Sequence, residues 1–426
     1  MSQATRILLS LVGGLLLGIG LAAWAPGAGT AGLAVAEPVG TMWLHGLQMT
    51  IVPLVVGLLV TGIAATAEAA RASTLATRAL VVFIALLWVS SALSAVIITA
   101  LLAIFPLGPD AAAALKSAVA SAGEIGDVPP FSQFIVAMVP TNPLAAAVND
   151  AFLPLIVFTV AFGFAVTRLP DEPRRLLTGV FRAIADTMLI VIGWVLWLAP
   201  LGVFALSFGV GVKAGTAAFG ALIHYVAVVT ATGAGVTLLA FPVAVIGGRL
   251  GLGAYLRAMT QPAAVAISTQ SSLASLPAML RATERLGVPV ATSGMVLPLA
   301  VAIFRYTGPA MNLAVTLYVA HIFGVALTPT QYAIGIAAAA ITTMGAVSLP
   351  GTISFVSSIA PIALAMGLPI GPLALLVAVE TFPDIMRTLG NVAMDVAATS
   401  AIARRADGEG AVERTETDAL LADGAE

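Results

Sequence analysis

The sequence predicts an all-α polytopic membrane protein. Only 9% of its 426 residues are charged and 60% are hydrophobic, and the mean hydropathy is +1.07. Soluble domains average about a quarter charged residues, so this chain is expected to lie mostly in lipid. Apolar stretches long enough to cross a bilayer predict eight transmembrane helices, at 6–24, 43–66, 78–105, 150–168, 183–208, 217–246, 291–320 and 371–403.

The positions of Lys and Arg predict how these helices are oriented. With the N-terminus in the cytoplasm, fourteen of the eighteen fall on the cytoplasmic side, and only Lys116 and Lys213 fall outside. This bias favours eight crossings with both termini cytoplasmic. Low Lys with high Ala and Arg is typical of a GC-rich bacterium, so we expect a bacterial inner membrane. The polar residues 407–426 predict a disordered cytoplasmic tail.

Several classes of function are disfavoured by what the sequence lacks. It contains no Cys, which excludes disulfides and thiolate metal sites, and its three His are far apart. It has no Walker A loop, no dinucleotide fingerprint and no HExxH motif. We therefore expect neither an enzyme nor an ATP-driven pump. We also expect no catalytic residues, no cofactor and no nucleic-acid partner.

Two more apolar segments, 254–286 and 328–369, are interrupted halfway and predict re-entrant helical hairpins. Each carries Ser-Leu-Pro, at 275–277 and 348–350, although so short a match could arise by chance. Broken backbone at membrane depth is tolerated where it lines a cavity or is buried in protein, and paired breaks point to a transporter's binding site. Free N–H groups there favour a carboxylate. The first interruption is rich in side-chain oxygens, at Ser268, Thr269, Gln270, Ser271 and Ser272.

A polar stripe follows the last predicted span. Its members are separated by steps of three and four residues, which places them on one helical face about 22 Å long. Ionisable groups at membrane depth cost at least about 2.5 kcal/mol each, so the stripe indicates a path for a substrate or an ion. The stripe consists of Glu380, Asp384, Arg387, Asn391 and Asp395.

Each member of the stripe has a binding role and a simpler alternative. Arg387 suits a carboxylate and Asp384 an ammonium group, but the two could neutralise each other without binding anything. Asp395 and Asn391 offer hard ligands for sodium, or a capped polar contact near the helix end. Glu380 is a possible proton carrier if buried, and an ordinary carboxylate if exposed to water.

Arg305 lies in the middle of the span 291–320, beside Gly308 and Pro309, which should unwind or kink the helix. A cation at this depth needs a partner, and Asp384 or Asp395 is the natural candidate. A structural salt bridge between helices would satisfy the same requirement.

Four stretches of the chain fit the pattern of one known family. They are Leu47-Gln48-Met49-Thr50-Ile51-Val52-Pro53, Val139-Pro140-Thr141-Asn142-Pro143, Ala199-Pro200-Leu201-Gly202-Val203-Phe204-Ala205, and Asp384-Ile385-Met386-Arg387-Thr388-Leu389-Gly390-Asn391-Val392-Ala393-Met394-Asp395. Over most of residues 5–406 the chain resembles the dicarboxylate/amino acid:cation symporters, the glutamate transporter homologues. The last stretch is the most specific, because Asp, Arg-Thr, Asn and Asp recur at the family's spacings.

The resemblance implies a homotrimer with an elevator mechanism and inverted repeats. Residues 1–208 would mainly form the trimerisation scaffold, through helices one, two, four and five. Residues 217–406, together with the third helix at 78–105, would form a transport domain that moves across the membrane.

The resemblance also implies roles for individual residues. Arg387 would hold the substrate's side-chain carboxylate, and Asp384 its amino group. Asp395 and Asn391 would help bind one sodium ion, and Ser90 and Ser91 would lend oxygens to another. The implied substrate site consists of Arg387, Asp384, Thr388, Asn391, Ser271 and Ser272.

The seventh helix departs from the family pattern of Asn-Met-Asp-Gly-Thr. Phe304 and Tyr306 replace the Asn and Asp that bind sodium, and Gly308 replaces the Thr that touches the substrate carboxylate. At the second hairpin tip, Ala346 and Ile353 replace a small hydroxyl residue and a glycine. An Asp is lost and Arg305 is gained, so the fixed charge rises by two. We therefore expect Arg305 to act as a tethered cation.

The sequence thus predicts a secondary active transporter, a symporter or exchanger of small anionic substrates. These would be acidic amino acids such as glutamate and aspartate, or C4-dicarboxylates. Sodium coupling would be altered or reduced, with a proton on Glu380 as the other possible coupling ion. Two alternatives remain at this stage: an anion channel on the same fold, and a substrate sensor that does not transport.

Overall fold

The computed structural model describes residues 3–72, 74–108, 112, 136, 139–149, 151–215, 217–343 and 351–423. Throughout these residues the fold is helical, without strands, which confirms the all-α prediction. The broken helices predicted within 109–149 lie largely outside the described residues. So does the second Ser-Leu-Pro, together with Ala346. The main helices are α1 (Gln3–Trp24), α2 (Pro26–Gln48), α3 (Ile51–Ala72), α4 (Thr74–Ile104), α5 (Pro143–Val148), α6 (Phe152–Val166), α7 (Asp171–Trp197), α8 (Ala199–Ala214), α9 (Ala217–Thr237), α10 (Leu252–Thr269), α11 (Ser272–Arg285), α12 (Val290–Ile303), α13 (Thr307–Phe323), α14 (Pro329–Thr343), α15 (Gly351–Ala365), α16 (Gly371–Leu376) and α17 (Thr381–Asp423).

Six helical stretches among the described residues are long and apolar enough to cross a membrane. They are Thr5–Trp24, Pro26–Glu68, Thr74–Ile104, Asp171–Trp197, Phe219–Gly247 and Val290–Phe323. The protein is therefore a multi-pass membrane protein. The count is below eight because α6 has only 15 residues and because the charged stripe reduces the apolar character of α17. Eight crossings remain a prediction.

Two predicted spans have the wrong boundaries. The span 43–66 runs across the turn between α2 and α3, and 183–208 runs across the junction of α7 and α8 at Leu198. Pro200 lies in the first turn of α8, where a missing N–H is harmless and the fixed φ angle favours the start of a helix. Helix α8 then packs closely on α1, because Gly18 and Gly211 let the two backbones approach.

The last predicted span, 371–403, is also interrupted. Helix α16 ends at Leu376, a 3-10 turn covers Val377–Val379, and α17 begins at Thr381. Glu380 therefore lies in the junction rather than inside the long helix. Helix α17 continues to Asp423, through residues for which the sequence predicts a disordered tail. The Ala, Glu and Leu in that stretch are strong helix formers, which accounts for the helix.

Two pairs of helices occupy the interrupted segments. Helices α10 and α11 pack against each other and are joined by Gln270, in the left-handed conformation, and Ser271. Helices α14 and α15 form the second pair. Helix α13 packs against the second pair, also contacts α4, α9 and α17, and has nearly every side chain buried. This arrangement brings the polar residues of α17 next to the start of α13.

Candidate functional site

The site is built around a break in the helical backbone. Helix α12 ends at Ile303, α13 begins at Thr307, and the three residues between them leave backbone groups outside the helical pattern. Ser90 on α4 donates its hydroxyl to the carbonyl oxygen of Tyr306 at 2.6 Å. The neighbouring Gly308-Pro309 step, which predicted an unwound or kinked helix, explains why the chain breaks here.

Helix α17 provides hydrogen-bond acceptors for Thr307, at the other end of the break. The backbone N–H of Thr307 donates to Oδ1 of Asn391 at 2.8 Å. The Thr307 hydroxyl lies 2.6 Å from the carbonyl oxygen of Arg387 and 2.7 Å from Asn391 Oδ1, and can donate to either. Gly390 permits this approach, because a methyl group there would collide with the Thr307 side chain. The break is therefore held between α4 and α17.

A buried cluster of charges lies one turn away. Arg387 Nη1 is 2.6 Å from Glu380 Oε1 and 3.1 Å from Asp384 Oδ1, and all three side chains are at most 5% exposed. Tyr225 on α9 donates its hydroxyl to Glu380 Oε2 at 3.1 Å. Charged groups are rarely stable at this depth without such partners, so the cluster is held in a defined geometry.

One edge of the Arg387 guanidinium has no hydrogen-bond partner among the described residues. Its Nε and Nη2 atoms are buried and have no hydrogen-bond partner among the described residues. Arg387 lines a small cavity of about 10 Å³, room for about one water. The other lining residues come from the helix break, α13, α14 and α15, and are Arg305, Gly308, Asn312, Thr343, Phe355 and Ser358.

Arg305 lies in the break and lines the same cavity. It is within electrostatic range of Arg387 and of Asp384. Of the two partners considered from the sequence, Asp384 is therefore the one within electrostatic range of Arg305. The guanidinium groups of Arg305 and Arg387 thus line one cavity, and the carboxylates of Glu380 and Asp384 contact Arg387.

The residues on either side of Arg305 are buried in apolar surroundings. The Phe304 ring stacks on Phe83, with ring centroids 4.3 Å apart. Tyr306 is fully buried, and its hydroxyl donates to the carbonyl oxygen of Val236 at 3.1 Å. Neither side chain offers a carboxylate or amide oxygen to a cation.

The other predicted cation ligands have separate hydrogen-bonding environments. Ser90 is bonded to the break, whereas Ser91 donates to the carbonyl oxygen of Ile336 on α14 at 3.0 Å. Asp395 is 1% exposed, and its Oδ1 has no hydrogen-bond partner within the described part of the chain. The Oδ1 atom of Asn391 already accepts hydrogen bonds from Thr307.

Both predicted serines of the first hairpin tip lie at the start of α11. Ser271 caps α11 by accepting from the N–H of Ala274 at 3.2 Å, and Ser272 is buried beside it. Neither is among the described residues that line the cavity around Arg387. Thr388, the residue after Arg387, is 5% exposed on α17.

Sequence reasoning missed several residues of the site. Tyr225 lies 155 residues before Glu380, and a tyrosine within an apolar helix gives no signal of its partner. Sequence reasoning also missed Thr307, which joins the break to α17. The cavity-lining residues Asn312, Thr343 and Ser358 are polar side chains in mostly apolar helices that carry other polar residues too, so nothing in the sequence singled them out.

Comparison with known proteins identifies the family. The model of the sodium:dicarboxylate symporter family matches residues 4–405. The chain belongs to this family. It is accordingly a transmembrane transport protein of the symporter class and not an enzyme, as the sequence predicted.

Curated members of the sodium:dicarboxylate symporter family match along most of their length. The proton/glutamate-aspartate symporter of Escherichia coli K12 is 28% identical over 425 residues, covering 95% of this chain and 92% of the relative. A C4-dicarboxylate transport protein of Anaeromyxobacter sp. strain K is 27% identical, covering 91% and 87%. The proton/sodium-glutamate symport protein of Bacillus caldotenax is 28% identical, covering 84% and 85%.

Proposed function

We propose that this protein is a secondary active transporter of small anions with two carboxylates, either C4-dicarboxylates or acidic amino acids. The proposal rests on the edge of the Arg387 guanidinium that has no hydrogen-bond partner among the described residues. Its Nη1 atom is neutralised by Glu380 and Asp384, while Nε and Nη2 are buried donors without partners among the described residues. Buried unsatisfied donors cost about 1–3 kcal/mol each, and one planar carboxylate could satisfy both.

Arg305 supplies a place for the second carboxylate. It lines the cavity together with Arg387, so a short molecule with a carboxylate at each end could contact both guanidinium groups. Asp384 could hold an ammonium group, but its Oδ1 atom already contacts Arg387. This arrangement favours a dicarboxylate over an amino acid. The cavity has to widen before either can enter, which requires α14 and α15 to move away from Arg387.

The charges of the cluster suggest how transport is coupled. Arg305 and Arg387 balance Glu380 and Asp384, so a bound dianion leaves two negative charges in surroundings of low dielectric constant. Such charges interact strongly, by about 4 kcal/mol at 4 Å even at an effective dielectric constant of 20. Two cations should therefore enter with the substrate. Glu380, bonded to Tyr225, is our candidate proton carrier.

We further propose that sodium coupling is reduced. Phe304 and Tyr306 occupy positions that carry sodium ligands in the family, and both side chains are packed among apolar neighbours. Arg305 would supply a tethered positive charge in their place. A remaining sodium ion would bind near Asp395 and Asn391, or near Ser90 and Ser91.

The proposed assembly is a homotrimer with an elevator mechanism in a bacterial inner membrane. Residues 1–208 would form most of the scaffold, while α4 and residues 217–406 would form the moving domain, with eight crossings and two re-entrant hairpins. The hydroxyls of Ser90 and Ser94 on α4, bonded to carbonyl oxygens at the break and in α13, support the assignment of α4 to the moving domain.

Uptake by reconstituted proteoliposomes tests the proposal. Labelled succinate and aspartate would be offered under an inward proton gradient, an inward sodium gradient, or neither. We expect saturable uptake driven by protons and little changed when choline replaces sodium. Arg387→Ala should abolish it, and Arg257→Ala, at an exposed position on α10, should not. Steep sodium dependence would refute reduced coupling, and normal uptake by Arg387→Ala would refute the substrate site.

A further inference from the structure

A second cavity, lined by none of the substrate-site residues, lies between α3, the end of α6 and the start of α7. Its volume is about 340 Å³, within the range of small-molecule sites. Nothing in the proposed transport cycle uses it. We call it the arginine cavity, and its lining residues are Ala64, Ala65, Ala67, Glu68, Thr167, Arg174, Arg175, Thr178, Gly179 and Arg182.

The packing of α3 on α7 explains why the space exists. The helices touch where Gly57 faces the backbone of Phe181 and the side chain of Ala185, since a methyl group at Gly57 would lie 2.9 Å from the Phe181 carbonyl oxygen. Beyond this contact, the cavity lies between residues 64–68 of α3 and residues 174–182 of α7. Small alanine side chains on α3 leave the gap unfilled.

The cavity carries an excess of positive charge. Residues 175, 178 and 182 are spaced by three and four, which places them on one face of α7. Arg174 is bound to Asp171 at 2.6 Å, whereas Arg175 and Arg182 have no acidic partner among the side chains that the structure describes. Glu68 is the one carboxylate among the described lining residues.

Thr178 lies between the two arginines in the sequence and also lines the cavity. Its Oγ1 atom is shielded from the cavity space and has no hydrogen-bond partner within the described part of the chain. An oxyanion in the cavity would therefore accept from the guanidinium groups of Arg175 and Arg182.

We propose that the arginine cavity binds a phosphate-bearing anion, the headgroup of an anionic membrane phospholipid. Guanidinium groups bind phosphate oxygens in bidentate fashion, and basic pockets between membrane helices suit such headgroups. The other faces of α7 expose Leu176, Val180 and Ile184, at 68%, 47% and 36%. Acyl chains can lie along these side chains while the headgroup occupies the cavity.

Thermal unfolding of the purified full-length chain in detergent tests the proposal. Phosphatidylglycerol should raise the Tm in a saturable way, and phosphatidylcholine should not. The double variant Arg175→Gln/Arg182→Gln should bind phosphatidylglycerol about 100-fold more weakly, about tenfold for each guanidinium group removed from the phosphate. Arg168→Gln removes an exposed arginine from the same end of the helices but outside the cavity, and should respond like the wild type.

Additional measurements identify the source of the phosphate and replace the double variant if it does not fold. If inorganic phosphate alone reproduces the shift, the ligand is soluble phosphate; if it does not, the ligand is the lipid headgroup. Should the double variant not fold, each single variant must still bind about tenfold more weakly, and Arg182→Lys must recover part of the loss. Three results would overturn the proposal. The wild type could show no Tm shift, the double variant Arg175→Gln/Arg182→Gln could show the same Tm shift as the wild type, or Arg168→Gln could lose as much affinity for phosphatidylglycerol as the double variant.

Discussion

Arg387 combines two functions in one side chain. Its Nη1 atom is tied to Glu380 and Asp384, and its Nε and Nη2 atoms are buried without a partner in the described residues. The carboxylates hold the guanidinium in place, so a substrate need not order it on binding. Glu380 has the further contact to Tyr225, which links the cluster to α9.

The first prediction concerns proton coupling by Glu380. Glu380→Gln keeps the size of the side chain but cannot ionise, so the cluster can no longer gain or lose a proton there. Uptake driven by a proton gradient should fall at least tenfold, while exchange between liposomes preloaded with substrate and external substrate should persist. Glu284→Gln, at an exposed position on α11, is the matched control. Undiminished proton-driven uptake would show that another group carries the proton.

The second prediction concerns Arg305 as a tethered cation. Arg305→Gln removes one fixed positive charge within electrostatic range of Asp384 and Arg387, so a dianion should bind more weakly. We expect the KM for succinate to rise at least tenfold in choline buffer, and sodium to reverse part of this rise. Arg257→Gln controls for the loss of a surface charge. A KM equal to that of the wild type in both buffers would rule out the tethered cation.

At the level of helices, the site depends on how closely α17 approaches the break before α13. The Thr307 N–H and hydroxyl reach Asn391 because Gly390 has no side chain. Ser90 and Ser94 on α4 also donate their hydroxyls to carbonyl oxygens of the break and of α13. Short side chains at crowded crossings thus help to fix the break, together with the Phe304 ring stacked on Phe83.

The third prediction follows from this crowding. Gly390→Ala places a methyl group against Thr307 and Thr237, and overpacking of this kind costs about 1–3 kcal/mol. The Tm should fall by several degrees, and substrate uptake should fall with it. Gly294→Ala, in α12 with no atom within 4 Å of the added carbon, should be neutral or slightly stabilising. A Tm for Gly390→Ala equal to that of Gly294→Ala would contradict the close approach.

The elements differ in how far sequence could predict them. The spacing of Asp384, Arg387 and Asn391 placed them correctly on one helical face. Glu380 was assigned to the same helix, yet it lies in the junction after a 3-10 turn, because three- and four-residue spacing does not reveal a local change of helix type. The junction at Leu198 was missed for a related reason, since hydropathy remains high across it.

For the whole molecule, the predicted topology has both termini on the cytoplasmic side. The described residues contain six helical stretches that qualify as membrane spans by length and composition, and an even number of crossings keeps the termini together. The chain has no Cys, so a single introduced cysteine is the only thiol that a maleimide can label, and no native cysteine has to be removed first.

The fourth prediction uses this property. In intact cells, a membrane-impermeant maleimide should label Lys213→Cys but not Asp423→Cys, which should react only after permeabilisation. The ion pair of Lys213 with Glu37, at 2.8 Å, is partly exposed, so its loss should change stability by less than about 1 kcal/mol. The unmodified Cys-free chain is the control. External labelling at position 423 would contradict the orientation drawn from Lys and Arg.

The sequence by itself determined the helical membrane class, the candidate residues on α17 and the resemblance to a transporter family. These follow from hydropathy and from spacing along the chain, which are local properties. Only the tertiary structure decided that Tyr225 bonds to Glu380, that Thr307 joins the break to Asn391, and that Arg305 shares a cavity with Arg387. Such contacts join residues about 80 to 155 positions apart, and they form only when helix packing brings those residues together.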